Sequence, residues 1–176
     1  GAGVGGNTPH TDLLPASKVK QAQQVPNNRE YWGVYLQGYE TTDPFGDYVL
    51  SILDLDTKHS STPRDIRIER LFSLAKDRGL MTERSHSKKG GHIIFLSVRD
   101  ESLPAKINLG NRQEVEIFGQ PGSAGKNVLL TGDRLQGEVI VCSSVRELLN
   151  AAGISDDLIN PPVGQNSKPN TKPAVA

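Results

Sequence analysis

Val49–Lys58 reads VLSILDLDTK, an apolar run that ends in two aspartates two residues apart. Val49, Leu50, Ile52 and Leu53 have the pattern of a strand buried on both faces. Alternate side chains of a strand point to the same face, so Asp54 and Asp56 share one side of its C-terminal end. Two adjacent carboxylates repel unless one takes up a proton or a cation sits beside them. A divalent ion keeps both ionised and offers a Lewis acid to phosphate oxygens. A turn or a helix cap uses aspartate in the same place, so the pair by itself leaves both readings open.

Downstream, Thr57–Gly79 is punctuated as a helix. Thr62 stands as N-cap, Pro63 at the first helical position, Ile68, Leu71, Phe72 and Ala75 at helical spacing, and Gly79 as the stop. Arg64, Arg67 and Arg70 recur every third residue and form a basic edge, read as a solvated face or, with Lys88, as a local patch for nucleic acid. Leu80–Val98 then gives two short strands, LMTERSH and HIIFLSV, joined by SKKGG. Backbone amides of such a Gly-rich hairpin can approach a phosphate closely, with Lys88 and Lys89 as cations and His92 emerging at the next strand's start, on a face with Ile94 and Leu96. A plain turn with solvated lysines and a packed histidine is the competing reading.

Asn111–Phe118 (NRQEVEIF) alternates, with Val115 and Ile117 on one face and Glu114, Glu116 and Phe118 on the other, so a third carboxylate is available. Gly119–Lys126 (GQPGSAGK) fails as a phosphate-binding P-loop. Gln120 and Asn127 stand where glycine and Ser or Thr are needed, and the following NVLLTG reads as a strand instead of a helix. Asn127–Thr131 and Glu138–Cys142 read as two more strands, with TGDRLQG between them, and Ser144–Ala152 as a short amphipathic helix stopped by Gly153. Upstream, Glu30–Tyr39 (EYWGVYLQGY) reads as a strand and Thr41–Gly46 as a turn into Val49.

At 176 residues the chain suits one core with tails: a flexible segment over 1–28, a catalytic domain over 29–155, and a proline-rich tail or linker over 156–176, leading towards a further domain. Lys+Arg and Asp+Glu are both 20, so no net field draws in a polyanion and any nucleic-acid surface is a local patch. The single Cys142 excludes a Cys-built zinc site and an intrachain disulfide framework, and sits in an apolar run as a small buried residue. No signal peptide or membrane span is legible, so a cytoplasmic location without membrane partners is expected.

Three features stand in order: Asp54-x-Asp56 at a strand end, Ser87-x-Lys89-Gly90-x-His92 leading into a strand, and Glu116 between Val115 and Ile117, followed by NVLLTG. Over roughly Tyr31–Ser144 this resembles the archaeo-eukaryotic primase superfamily, in particular the primase-polymerase domains of phages, plasmids and other mobile elements. The resemblance implies a single α+β domain with an RRM-like antiparallel catalytic sheet flanked by helices. It implies that Asp54, Asp56 and Glu116 are catalytic and hold two divalent ions, Mg²⁺ or Mn²⁺. It also implies that Ser87, Lys89 and His92, with Lys126, cradle the triphosphate of an incoming ribo- or deoxynucleotide. The implied partners are a DNA primer-template or single-stranded template, and a helicase domain or protein of the same replicon. The departures are the lack of a Cys-built zinc module and of a C-terminal helical domain, which leaves extension better supported than priming.

Two other readings compete. One is a non-catalytic RRM-like nucleic-acid-binding replication-initiator domain, against which stand the three acids and His92 and the absence of obvious strand aromatics for base stacking. The other is a D-x-D phosphohydrolase or glycosyltransferase. The haloacid-dehalogenase type of that signature wants Thr or Val where Lys58 stands, and this reading ranks last.

Overall fold

Tyr48–Leu55 forms the central strand the sequence predicts, and the rest of the sheet is assembled on both of its edges. The computed structural model describes residues 32–36, 48–55, 62–123 and 126–162. In chain order the elements are β1 (Trp32–Leu36), β2 (Tyr48–Leu55), α1 (Ile66–Asp77), β3 (Met81–Arg84), β4 (Gly91–Val98), β5 (Lys106–Gly110) and β6 (Gln113–Phe118). A 3₁₀ turn (Pro121–Ser123) follows, then β7 (Lys126–Leu130), β8 (Arg134–Gln136), α2 (Val145–Ala151) and α3 (Asp156–Ile159). The fold is α+β, with a six-stranded sheet in the order β5-β6-β2-β4-β3-β8, antiparallel at every pairing of its strands, and a separate β1-β7 ribbon.

Alternation along the strands divides the apolar residues between two cores. Leu53, Leu55, Ile93, Phe95, Val115 and Ile117 point to one face and pack with Ile68, Leu71 and Ala75 of α1, Leu148 and Leu149 of α2 and Ile159 of α3. On the other face Ile52, Ile94 and Phe118 pack with Val128 of β7, so the ribbon covers part of the sheet surface that the helices leave. The packed region therefore continues through Ile159, past the expected boundary at Ser155. No described helix is long and apolar enough to cross a membrane.

The helix α1 starts later than its punctuation suggests. Its N-cap is Asp65, not Thr62, and Pro63 lies before it. Gln113 explains the shift: its side chain accepts from the Asp65 amide at 2.7 Å and donates to the Pro63 carbonyl at 2.8 Å, holding residues 63–65 against β6. The Asp65 carboxylate accepts from the Arg67 amide at 2.8 Å and from its guanidinium at 2.8 and 2.6 Å, while Arg67 also donates to the Leu109 carbonyl at 2.8 Å. Arg67 is thus an internal tether of α1 to β5, not part of a solvated basic edge. At the other end Gly79 takes φ +69°, its amide donates to Lys76 and the Leu80 amide donates to Ala75, a Schellman stop where the sequence places one.

Glu138–Cys142 is not the expected strand. It makes only isolated parallel bridges, Leu80 with Glu138 and Leu96 with Val141, because the edge of β3 is taken by β8 from the segment TGDRLQG.

Candidate functional site

The register of the sheet brings the sequence-predicted residues into one row. Asp54 on β2 lies opposite Glu116 on β6 and opposite His92 on β4, and His92 lies opposite Glu83 on β3. All four are on the face that carries Ile52, Ile94, Phe118 and Met81, away from the helices. At this end of the sheet the apolar packing under the ribbon gives way to a cleft of about 300 Å³, which Asp54, Glu116 and His92 line together with Ser85, His86 and Ser87 from the β3–β4 loop. That volume is at the lower end of small-molecule sites. Asp56 lies outside the described residues.

Glu83 is the member that sequence reasoning missed. Its side chain is 1 % exposed, and its Oε1 lies 2.6 Å from Nδ1 of His92, itself 4 % exposed. The same carboxylate accepts from the Thr131 and Gly132 amides, both at 3.0 Å, while the Thr131 hydroxyl donates to the Arg84 carbonyl at 2.6 Å. A buried carboxylate is costly unless it is paired and hydrogen-bonded, and Glu83 is both. Burial pushes its carboxyl up, but the bonds from His92, Thr131 and Gly132 outweigh burial and hold it below its ordinary value. Glu83 therefore acts as acceptor, His92 Nδ1 carries a proton towards it, and Nε2 is left facing Asp54 Oδ1 at 3.7 Å, beyond hydrogen-bond distance. Gly132, at φ +71°, completes the turn that aims its amide at Glu83. Thr131 and Gly132, the end of NVLLTG, are therefore bound to the site through Glu83.

The β3–β4 loop is built around Ser85. Its hydroxyl accepts from the Gly90 amide at 3.2 Å and lies 3.0 Å from the Ser87 hydroxyl, and its carbonyl accepts from Lys88 at 2.9 Å. Gly91 follows because a β-carbon there would stand 2.6 Å from the Glu83 carbonyl oxygen and 3.2 Å from the Phe72 ring. Ser87 lines the cleft as expected. Lys89 does not: its backbone carbonyl accepts from Arg64 at 3.0 Å, and its side chain is absent from the cleft's lining. Lys126 lies beside the cleft, its ammonium 5.9 Å from the centre of the Phe118 ring.

On β5 and β6 an ion-pair group adjoins the row. Lys106 lies 3.0 Å from Glu116 and 3.1 Å from Glu114, and those bonds, Glu116 first, raise its ammonium above the ordinary value. Among the described residues no three His, Cys, Asp or Glu side chains by themselves form a metal-holding group. Asp54 and Glu116 are nevertheless cross-strand neighbours with oxygen ligands aimed at one cleft, the donor chemistry that hard Mg²⁺ or Mn²⁺ takes and that soft-metal sites lack. Compared with known proteins, the chain matches no family model and no curated protein.

Proposed function

We propose that this domain is a template-directed nucleotidyltransferase of the primase-polymerase class, with an RRM-like sheet, as its resemblance to the archaeo-eukaryotic primase superfamily implies. The observation that carries the reading is the row Glu116, Asp54, His92, Glu83. It sets two acids and a carboxylate-oriented histidine side by side at the floor of one cleft. Asp54 and Glu116, joined by Asp56 from the sequence, would hold the divalent ions, which when bound lower the barrier to attack of a 3′-hydroxyl on the α-phosphate and offset the charge of the departing pyrophosphate.

The protein's own groups do the rest. Glu83 accepts from Nδ1 and fixes the ring of His92, so that Nε2, when it also carries a proton, donates to a phosphate oxygen without further ordering of the ring. Ser87 offers a hydroxyl from the loop wall, and Lys126 a cation beside it. Phe118 and Val128 close the inner end of the cleft with apolar surface that excludes water.

The non-catalytic initiator reading draws on one observation, the pairing of Lys106 with Glu116, which supplies that acid with a cation from the protein itself. Lys106 is 42 % exposed, and an exposed pair contributes only about 0–1 kcal/mol, so a divalent ion can displace it. Primer extension with Mn²⁺ and deoxynucleotides separates the two readings. Incorporation is expected from the wild type and loss of it, by about a hundredfold or more, from Asp54→Asn. A wild type that binds primer-template but incorporates nothing with ribo- or deoxynucleotides would favour the initiator.

A further inference from the structure

The β3–β4 loop serves two clefts. Ser85, His86 and Ser87 face the acidic row, whereas Lys88 and Gly90 line a second cleft of about 350 Å³ between α1 and the β3–β8 edge. Thr82 of β3, whose side chain points to the helix face, lines the second cleft, so the two clefts lie on opposite faces of the sheet. We propose that this second cleft binds the phosphodiester backbone of single-stranded nucleic acid. The inference rests on the nucleotidyl-transfer reading, for which it supplies a strand site.

Charge is the first reason. In a chain with no net charge, Arg64, Lys76, Arg84 and Lys88 surround the cleft against a single lining acid, Glu69. Arg64 is paired with Glu69 at 3.1 Å and Arg84 with Asp133 at 3.5 Å, both partly exposed pairs of the kind a phosphate can replace. Lys76 and Lys88 pair with no acid among the described residues. Backbone conformation is the second. Lys88 sits at φ +60°, where glycine would be unstrained and a lysine is uncommon, so the turn carries a cation at a conformational cost.

The floor of the cleft selects the form of the ligand. Phe72 lies under the Arg64 guanidinium, 5.5 Å from it, with Leu135 opposite and half exposed. An aromatic ring with a stacked arginine and flanking cations is the combination that receives bases and backbone of a single strand. A duplex presents neither unstacked bases nor a profile that enters a cleft of this size.

The test is fluorescence polarisation of a labelled oligothymidylate, without nucleotide or metal, across a salt series. For Lys76→Gln with Lys88→Asn, asparagine being at ease in the left-handed region, binding should weaken. The slope of log affinity against log salt should fall by about 1.4, two phosphate contacts at about 0.7 each. Triphosphate binding with Mn²⁺, read by calorimetry, should be unchanged in that variant. Wild-type strand affinity and slope in the variant would overturn the proposal, as would displacement of the strand by inorganic triphosphate at equal charge, or equal affinity for duplex. Strand binding that responds to these substitutions in a protein that binds no triphosphate would uphold this site and remove the nucleotidyl-transfer reading.

Discussion

Strands β2 and β4 carry a buried polar cluster on each face, and the two are built on opposite principles. On the helix face Ser51 and Ser97 share a hydrogen bond of 2.8 Å, and the fully buried Gln120 donates to both hydroxyls at 2.9 and 3.0 Å and accepts from the Asp100 amide at 2.9 Å. That cluster is neutral, closed, and satisfied by the protein alone. Three positions along β2, on the other face, Asp54 belongs to a charged row in which Glu83 meets His92 at 2.6 Å and Glu116 meets Lys106 at 3.0 Å, and in which Asp54 and Glu116 line an open cleft. Buried polarity that only holds strands together can be neutral and self-contained. Carboxylates ranged along an opening cost the fold stability and are expected where a ligand compensates them.

The largest effect is expected where Glu83 meets His92. Glu83→Ala leaves the Thr131 and Gly132 amides and His92 Nδ1 without their acceptor, and a loss of about 3–5 kcal/mol in unfolding free energy is expected, measured by urea denaturation. A loss below about 1 kcal/mol would mean that Glu83 does not hold the row and the β7–β8 turn together.

A third cluster, Asp65 with Arg67, is ionic like the row but closed like the serine group. Hydrogen bonds from Arg67 hold Asp65 below its usual carboxylate value, so its contribution is complete above 3.8 and is lost as the pH falls through the folded value. At neutral pH Asp65→Asn should cost about 1.5–3 kcal/mol. The gap to wild type should close in acid below that range, and a gap independent of pH would show that the carboxylate charge plays no part.

The smallest stability effect belongs to the neutral cluster. Gln120→Ala should lower stability by about 1–3 kcal/mol and leave triphosphate binding at the wild-type level. Impaired binding in that variant would show that the two faces are coupled through β2 and β4.

A strand's period of two is local, so the sequence could put Asp54 on a side with Asp56, Glu116 with Glu114 and Phe118, and His92 with Ile94 and Leu96. The pairing of β2 with β4 and β6 is what brings Asp54, Glu116 and His92 to one face. That these strands are neighbours could be expected only through the family resemblance, since register is a long-range property. Glu83 was legible in principle: Met81-x-Glu83 alternates across a short hairpin from His92. Nothing local distinguishes such a glutamate from an exposed one, and its burial depends on Thr131 and Gly132, nearly fifty residues away. The start of α1 was misplaced for a similar reason, Gln113 overriding the local preference for Thr62 and Pro63. Of the two hairpin lysines, Lys89 is held by its backbone carbonyl to Arg64 and does not line the acidic cleft, whereas Lys88, read from the sequence as part of a basic patch with Arg64, lines the second cleft beside it.

On the proposed reading the open row takes a metal-bound nucleotide and the closed serine–glutamine cluster does not. Titration of a nucleoside triphosphate with Mn²⁺ into wild type, Asp54→Asn and Gln120→Ala tests it most directly, with the metal-free thermal midpoint measured alongside. Saturable Mn²⁺-dependent binding is expected in wild type and Gln120→Ala, with its loss in Asp54→Asn, whose metal-free midpoint should be unchanged or raised. Unaltered binding in Asp54→Asn, or a clear fall in its metal-free midpoint, would make the row a structural feature instead of a nucleotide site.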